Sequence, residues 1–244
     1  MGYSLMEVAR FGEQDTMDAL QPLSFDQLER LRKYAGRVLE EKYNRNHGPP
    51  KYGNLPRSFS ERQLLEFFDA IVDDRLFLAF FVQFVFGLRN GELQDIEFLE
   101  EQGLLRVNNS KAGRVEFLPV PDAVRAPLKE YLSQDMHSVQ KLRYYFRRVC
   151  EDAGEEFTYV YGYSNHKDNP RKLYQFTTHT LRHTVGNLVR RRCGVGAQAA
   201  FLRHSLSSKF GATGTYMNFS NEEMLGFLDE AIVPVAQKIL FLRE

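Results

Sequence analysis

Thirteen residues from Leu76 to Leu88 carry no charge and a single polar side chain, Gln83. Such a run must be buried in protein or placed in a bilayer. A membrane-spanning helix needs roughly 20 apolar residues, so this stretch reads as a helix buried in a core. It predicts a helix opening at Arg75 with Arg89 at its C-terminal end. The 244 residues, 43% hydrophobic with 20 Phe, are enough to build a core around it in one large domain or two small ones.

Capping and punctuation residues set the other elements. Ser60 followed by Gln63 is a capping box that opens a helix with Leu64, Leu65, Phe68 and Ile71 inward. Upstream, residues 1–23 show no sustained period, and Ser24 with Gln27 opens an amphipathic helix reaching about Asn46. The Gly- and Pro-rich stretch from His47 to Pro56 then stops both helix and strand. This predicts two parts: a leader, helix and linker over 1–54, and a main domain over 55–244. Within the latter, Leu104–Val107 and Val115–Val120 flank an Asn- and Gly-rich turn and read as a hairpin with Lys111 at its tip. Helices are expected over Ala123–Leu132 and Ser138–Ala153, from His179, from about Ala197, and from Asn221 to Phe241. Residues 154–176 read as irregular, with a loop over 165–170. The expected class is mainly α with a small antiparallel β-sheet, α+β.

Composition narrows the setting. The N-terminus lacks a basic region followed by a long apolar stretch, so no secretory signal is expected, and Cys150 and Cys193 make no disulfide framework. Both observations point to a reducing cytoplasm. Cys193 follows three arginines that could lower its thiol pKa; a plain buried Cys is the preferred reading. Basic and acidic residues balance at 32 each, yet they are segregated. Residues 141–209 hold thirteen Lys and Arg against five Asp and Glu, while 61–101 hold three against ten. Nucleic-acid affinity follows a clustered basic face rather than the chain total. Arg143, Arg147 and Arg148 on one predicted helix are candidates for phosphate contact.

The basic half also carries His179-Thr180-Leu181-Arg182-His183-Thr184. His179 and Arg182 stand three residues apart and share a helix face, while Leu181, Val185 and Leu188 form a separate apolar stripe. Taken with Gly87-Leu88-Arg89-Asn90-Gly91-Glu92-Leu93, Lys111, Leu202-Arg203-His204-Ser205 and Tyr216, the order is Arg, Lys, His-x-x-Arg, His, Tyr. Over residues 55 to 240 this pattern resembles the catalytic domain of the tyrosine recombinases, the phage integrase and Xer-like family. Two features depart from that family's pattern. Arg203 stands where a Gly is usual, and the interval from His204 to Tyr216 is about three residues longer than the commonest form. Tyr216 is the one Tyr after His204.

The resemblance implies the tyrosine recombinase catalytic-domain fold and cleavage and rejoining of double-stranded DNA without metal or nucleotide cofactor. It also implies roles for six residues. Tyr216 is the nucleophile that forms a 3′-phosphotyrosine, Arg89 and Arg182 stabilise the phosphate, and His204 donates to a nonbridging oxygen. His179 exchanges a proton with Tyr216, and Lys111 protonates the leaving 5′ oxygen. Further expectations are a homo-tetramer on two DNA sites, a nucleoid-associated cytoplasmic location, and a C-terminal helix that docks on a neighbouring subunit. The region before the linker would be a truncated or vestigial DNA clamp. Each residue alone admits a plainer reading: Arg89 as complement to a helix dipole, Lys111 as a solvated turn residue, Tyr216 as a packing ring. Zinc held by His179 and His183 lacks the Glu of H-E-x-x-H and a nearby Cys pair. Two alternatives stay open: a catalytically weakened DNA-binding relative of the same fold, and a type IB topoisomerase-like nicking-closing enzyme.

Overall fold

A computed structural model describes residues 23–24, 27–28, 55–109, 113–163, 171–203 and 219–243. The chain divides into two units, Met1–Gly53 and Asn54–Glu244. In the first, Ser24 and Gln27 satisfy each other: the Gln27 N–H donates to Ser24 Oγ at 3.4 Å and the Ser24 N–H to Gln27 Oε1 at 2.9 Å.

The second unit is built around the apolar run. Helix α1 (Glu61–Asp69) starts at the Ser60 capping box, and Leu64, Phe67 and Phe68 turn inward. Helix α2 (Asp74–Val85) is capped by Asp73, whose carboxylate accepts from the Leu76 N–H at 2.9 Å. Ten of its twelve residues are buried, as a run without charges requires. Phe59, Phe67, Phe68, Phe77, Phe80 and Phe146 pack ring to ring around it.

Helix α2 ends earlier than its sequence suggests. The Gly87 N–H donates to the Phe84 carbonyl at 3.1 Å and the Leu88 N–H to the Gln83 carbonyl at 3.0 Å, the paired bonds of a Schellman stop. Gly87 takes φ +55°, and a Cβ there would lie 2.9 Å from the Phe201 ring and 3.3 Å from Val185. Only glycine fits such a turn. Arg89 therefore lies beyond the helix in the turn that follows it, which corrects its expected place at the helix terminus and removes the dipole explanation for it.

Strands β1 (Ile96–Leu99), β2 (Leu104–Asn109) and β3 (Arg114–Pro119) form an antiparallel sheet in that order. Alternation sends Leu105, Val107 and Leu118 into the core and leaves Val115 and Phe117 exposed. The β2–β3 hairpin was expected; β1 was not. The tip, with Lys111, lies outside the described residues. Helices α3 (Asp122–Leu132) and α4 (Val139–Ala153) follow. The stretch expected to be irregular holds two short antiparallel strands, β4 (Val160–Tyr163) and β5 (Lys172–Tyr174). Its expected loop at 165–170 lies outside the described residues.

Helix α5 (His179–Phe201) is interrupted at Gly194, at φ 91° and ψ 175°, so two helical segments meet there. Helices α6 (Asn221–Ala231) and α7 (Val233–Phe241) replace the single C-terminal helix that was expected, with Pro234 in the first turn of α7. The architecture is mostly helical with small antiparallel sheets. Among the described residues no helix is long and apolar enough to cross a membrane.

Met224, Leu228, Ile232, Val235 and Ile239 of the last two helices are buried in this unit's own core. Lys238 pairs with Glu61 at 2.6 Å, and Arg243 stacks on Phe77 at 4.4 Å. At about 2 kcal/mol for each buried apolar side chain, the segment's contribution rivals the whole net stability of a domain, about 5–15 kcal/mol. Deleting residues 222–244 is therefore expected to abolish the cooperative thermal transition. A truncated protein that melts within a few degrees of the full chain would show that these helices add little to the fold.

Candidate active site

The Gly87 turn, the start of α5 and the end of α5 converge on one buried carboxylate. Glu92, in a short 3-10 turn over Glu92–Gln94, exposes only 3% of its surface. Its Oε2 accepts the Arg89 main-chain N–H at 2.7 Å, and its Oε1 accepts the Arg89 guanidinium at 2.5 Å. The Arg203 guanidinium donates to Oε2 at 2.6 Å, and Arg182 Nη1 stands 4.0 Å from the same oxygen. Burial pushes the Glu92 carboxyl upward, but the Arg203 charge and the Arg89 hydrogen bonds outweigh it and hold the group below its ordinary value.

Arg182 is fixed by main chain as well as by charge. One terminal nitrogen donates to the Gly87 carbonyl and the other to the Leu202 carbonyl. At 5% exposure it is buried, although it shares a helix face with the exposed His179. Burial, with Arg203 and Arg89 nearby, pushes its pKa down to about 9, which still leaves it charged at neutral pH. Arg89 differs, because its side chain is 27% exposed and is within reach of a ligand from solvent.

His179 opens α5 and is exposed. Its N–H is held by Thr177 Oγ1 at 3.3 Å, and the Thr180 hydroxyl accepts from the Thr177 N–H at 2.9 Å. One turn along, Thr184 accepts from the Phe59 N–H at 2.9 Å, which ties the helix start to the segment before α1. Partial burial of the ring, then the charges of Arg182, Arg143 and Arg89, lower the His179 pKa from 6.5. The imidazole is thereby kept neutral, able to accept a proton, at neutral pH. His183, also with a lowered pKa, is exposed one turn further on.

The three arginines of α4 separate. Arg143 is exposed and close enough to depress His179. Arg147 donates to the Phe157 carbonyl at 3.2 Å and lies over the Tyr174 ring at 4.0 Å, while Arg148 meets Glu151 at 3.4 Å. Of the three, Arg143 is the one placed beside the site. Cys193 has a raised, not a lowered, thiol pKa, through desolvation and the nearby Glu230.

Two residues outside the expected set belong to this cluster. Glu92 could have been found as the acidic partner three residues past Arg89. Arg203 was visible as the residue standing where the resembled pattern has a glycine, and its backbone conformation is one that favours glycine. Arg203 has φ 55°, the one positive φ at a non-glycine among the described residues. That conformation costs an L-residue roughly 1–2 kcal/mol. Arg203 is nonetheless buried, donating to the Phe86 carbonyl at 3.2 Å and pairing with Glu116 of β3 at 3.0 Å.

Of the six expected site residues, the structure brings Arg89, Arg182 and His179 together. Lys111, His204 and Tyr216 lie outside the described residues, although Arg203 immediately precedes His204.

No family model matches the chain. Over 201 residues, 80% of its length, the chain is 26% identical to the tyrosine recombinase XerA of Pyrococcus furiosus, and it covers 60% of that protein. The chain thus spans about three fifths of the relative's length and is distantly similar to a tyrosine recombinase.

Proposed function

We propose that this chain is a site-specific DNA recombinase that cuts and rejoins double-stranded DNA through a covalent phosphotyrosine. The observation that carries the reading is the convergence of Arg89 and Arg182 on Glu92, with His179 close enough to feel both arginines, in a chain distantly similar to a tyrosine recombinase. Two guanidinium groups can stabilise the charge on the nonbridging oxygens of a phosphate under attack. Glu92 holds one of them in a fixed direction.

In this reading the Tyr216 phenol oxygen attacks phosphorus and gives its proton to His179. The new O–P bond forms as the bond to the 5′ oxygen breaks, and Lys111 supplies the proton that the departing oxygen takes up. A 3′-phosphotyrosine and a free 5′-hydroxyl result, and attack by the 5′-hydroxyl of a second duplex reverses the step. The phosphodiester energy is conserved, so no nucleotide is consumed. Exchange between two duplexes calls for a tetramer, with His204 donating to a nonbridging oxygen in each active subunit. Strand exchange between two labelled duplexes tests this reading; nicking and closing of a single duplex by a monomer would favour the topoisomerase-like alternative.

The His179 assignment carries a pH signature. The base must be neutral, and its pKa lies below 6.5 in the folded protein. The acid limb of the cleavage profile should therefore have its midpoint below 6.5. His179→Gln should remove that acid limb, whereas His183→Gln should leave it in place. A midpoint at or above 6.5, or an acid limb that follows His183, would remove His179 from the role of base.

A further inference from the structure

Arg203 stands in a left-handed backbone conformation with its side chain buried, although a glycine would meet neither cost. Its terminal nitrogens are turned inward, to the Phe86 and Gly87 carbonyls and to Glu92, and its buried Nε stands 3.0 Å from the Glu116 carboxylate as an ion pair, without a hydrogen bond. It therefore has no group to offer a substrate. What it touches is informative. Glu92 Oε2 also receives the Arg89 N–H, and the Gly87 carbonyl is also bound by Arg182. Glu116 lies on β3, one strand of the hairpin whose turn contains Lys111. Arg203 and Glu116 together add no net charge to the cluster, so the pair leaves the attraction for a phosphate unchanged while adding a rigid cross-link.

We propose that Arg203 is a positioning residue for strand cleavage, clamping the Glu92 carboxylate and the Gly87 turn so that Arg89 and Arg182 are held in register, and tying that cluster through Glu116 to the hairpin that bears Lys111. The proposal rests on the recombinase reading for its consequence, but the positional claim stands on geometry. A lysine at 203 keeps the charge and cannot reproduce the fork that reaches Glu92, Glu116 and two carbonyls at once. A glycine relieves the backbone and removes every link.

Two measurements on the full chain test it. The first is the titration of His179 in the DNA-free protein, followed by NMR and assigned with His179→Gln. The second is single-turnover adduct formation on a nicked duplex. In Arg203→Gly the Glu92 carboxylate is no longer shared, so it offsets Arg89 and Arg182 more fully and the His179 pKa should move up, toward the ordinary imidazole value. The shift should persist in Arg203→Gly/Glu116→Gln, which removes the charges in balance. Adduct formation should fall about ten- to a hundredfold, the scale of a misplaced catalytic donor, with DNA affinity unchanged in the charge-balanced double variant and that variant no worse than Arg203→Gly. Arg203→Lys should fall between them and wild type, and it carries the test if the glycine variant does not fold. An unshifted His179 in folded Arg203→Gly, a shift that vanishes in the double variant, or wild-type adduct rates in the variants while wild type is active would overturn the proposal. If wild type itself forms no adduct, the recombinase reading fails and the His179 titration alone decides the role of Arg203.

Discussion

Glu92→Gln is expected to lose about 3–5 kcal/mol of folding stability, the scale seen when one partner of a buried ion pair is removed. The substitution keeps the shape and removes the charge. Arg89, Arg182 and Arg203 then face one another without the carboxylate that Arg89 and Arg203 bond and Arg182 approaches to 4.0 Å. For a domain of this size each kcal/mol moves the melting temperature by about 2–4 °C, so a fall of roughly 10 °C should be seen in a thermal scan. The pH dependence gives an independent check. Because the folded Glu92 pKa lies below its ordinary value, its contribution is fully present above the ordinary carboxylate range. It is lost as pH falls through the lower, folded value. Wild type should lose this part of its stability on acidification and Glu92→Gln should not. A variant that melts within about two degrees of wild type would mean that the three cations are accommodated without Glu92.

Arg182→Ala and Arg89→Ala should each lower cleavage by about two orders of magnitude or more, as loss of a preorganised charge-stabilising donor does. Their structural consequences should differ. Arg182 joins the Gly87 and Leu202 carbonyls from a buried position, and its removal leaves both without that donor. Arg89 is partly exposed, and its guanidinium bonds only Glu92 among the described residues. Melting temperature should therefore drop clearly in Arg182→Ala and little in Arg89→Ala, although both should lose cleavage alike. Rates within about threefold of wild type in either variant would make that arginine peripheral to the chemistry.

Local signals in the sequence were the easiest to read. The Ser60 and Gln63 capping box, the buried run through α2 and the β2–β3 hairpin each depend on neighbours within a few residues, and each is present in the structure. Where α2 ends was less legible. The apolar pattern continues through Leu88, but Gly87 adopts a positive φ and stops the helix three residues before the pattern does. Strands β1, β4 and β5 are only three or four residues long, too short for alternation to stand out, and are defined by partners across the sheet. The break at Ile232, inside what reads as one helix, was likewise not legible, whereas the interruption at Gly194 falls between the helices expected from His179 and from about Ala197.

The site divides along the same line. His179 and Arg182 follow from helical spacing, and Arg89 from its motif. The depth at which Arg182 is buried does not follow, because it depends on the Gly87 turn meeting the end of α5 from residues 95 and 20 positions away. Arg203 announced itself in the sequence only as a departure from pattern; its meaning required the backbone angle and the two carboxylates beside it.

The central claim is a covalent protein–DNA bond at one residue, and mapping that bond is its most direct test. Wild-type protein incubated with a nicked duplex that traps the cleaved strand should yield an adduct resistant to denaturation. Peptide mapping should place a 3′-phosphate on Tyr216, and Tyr216→Phe should bind the same DNA without forming the adduct, since only the phenolic oxygen is lost. No adduct from wild type, attachment at another residue, or undiminished adduct in Tyr216→Phe would contradict the account.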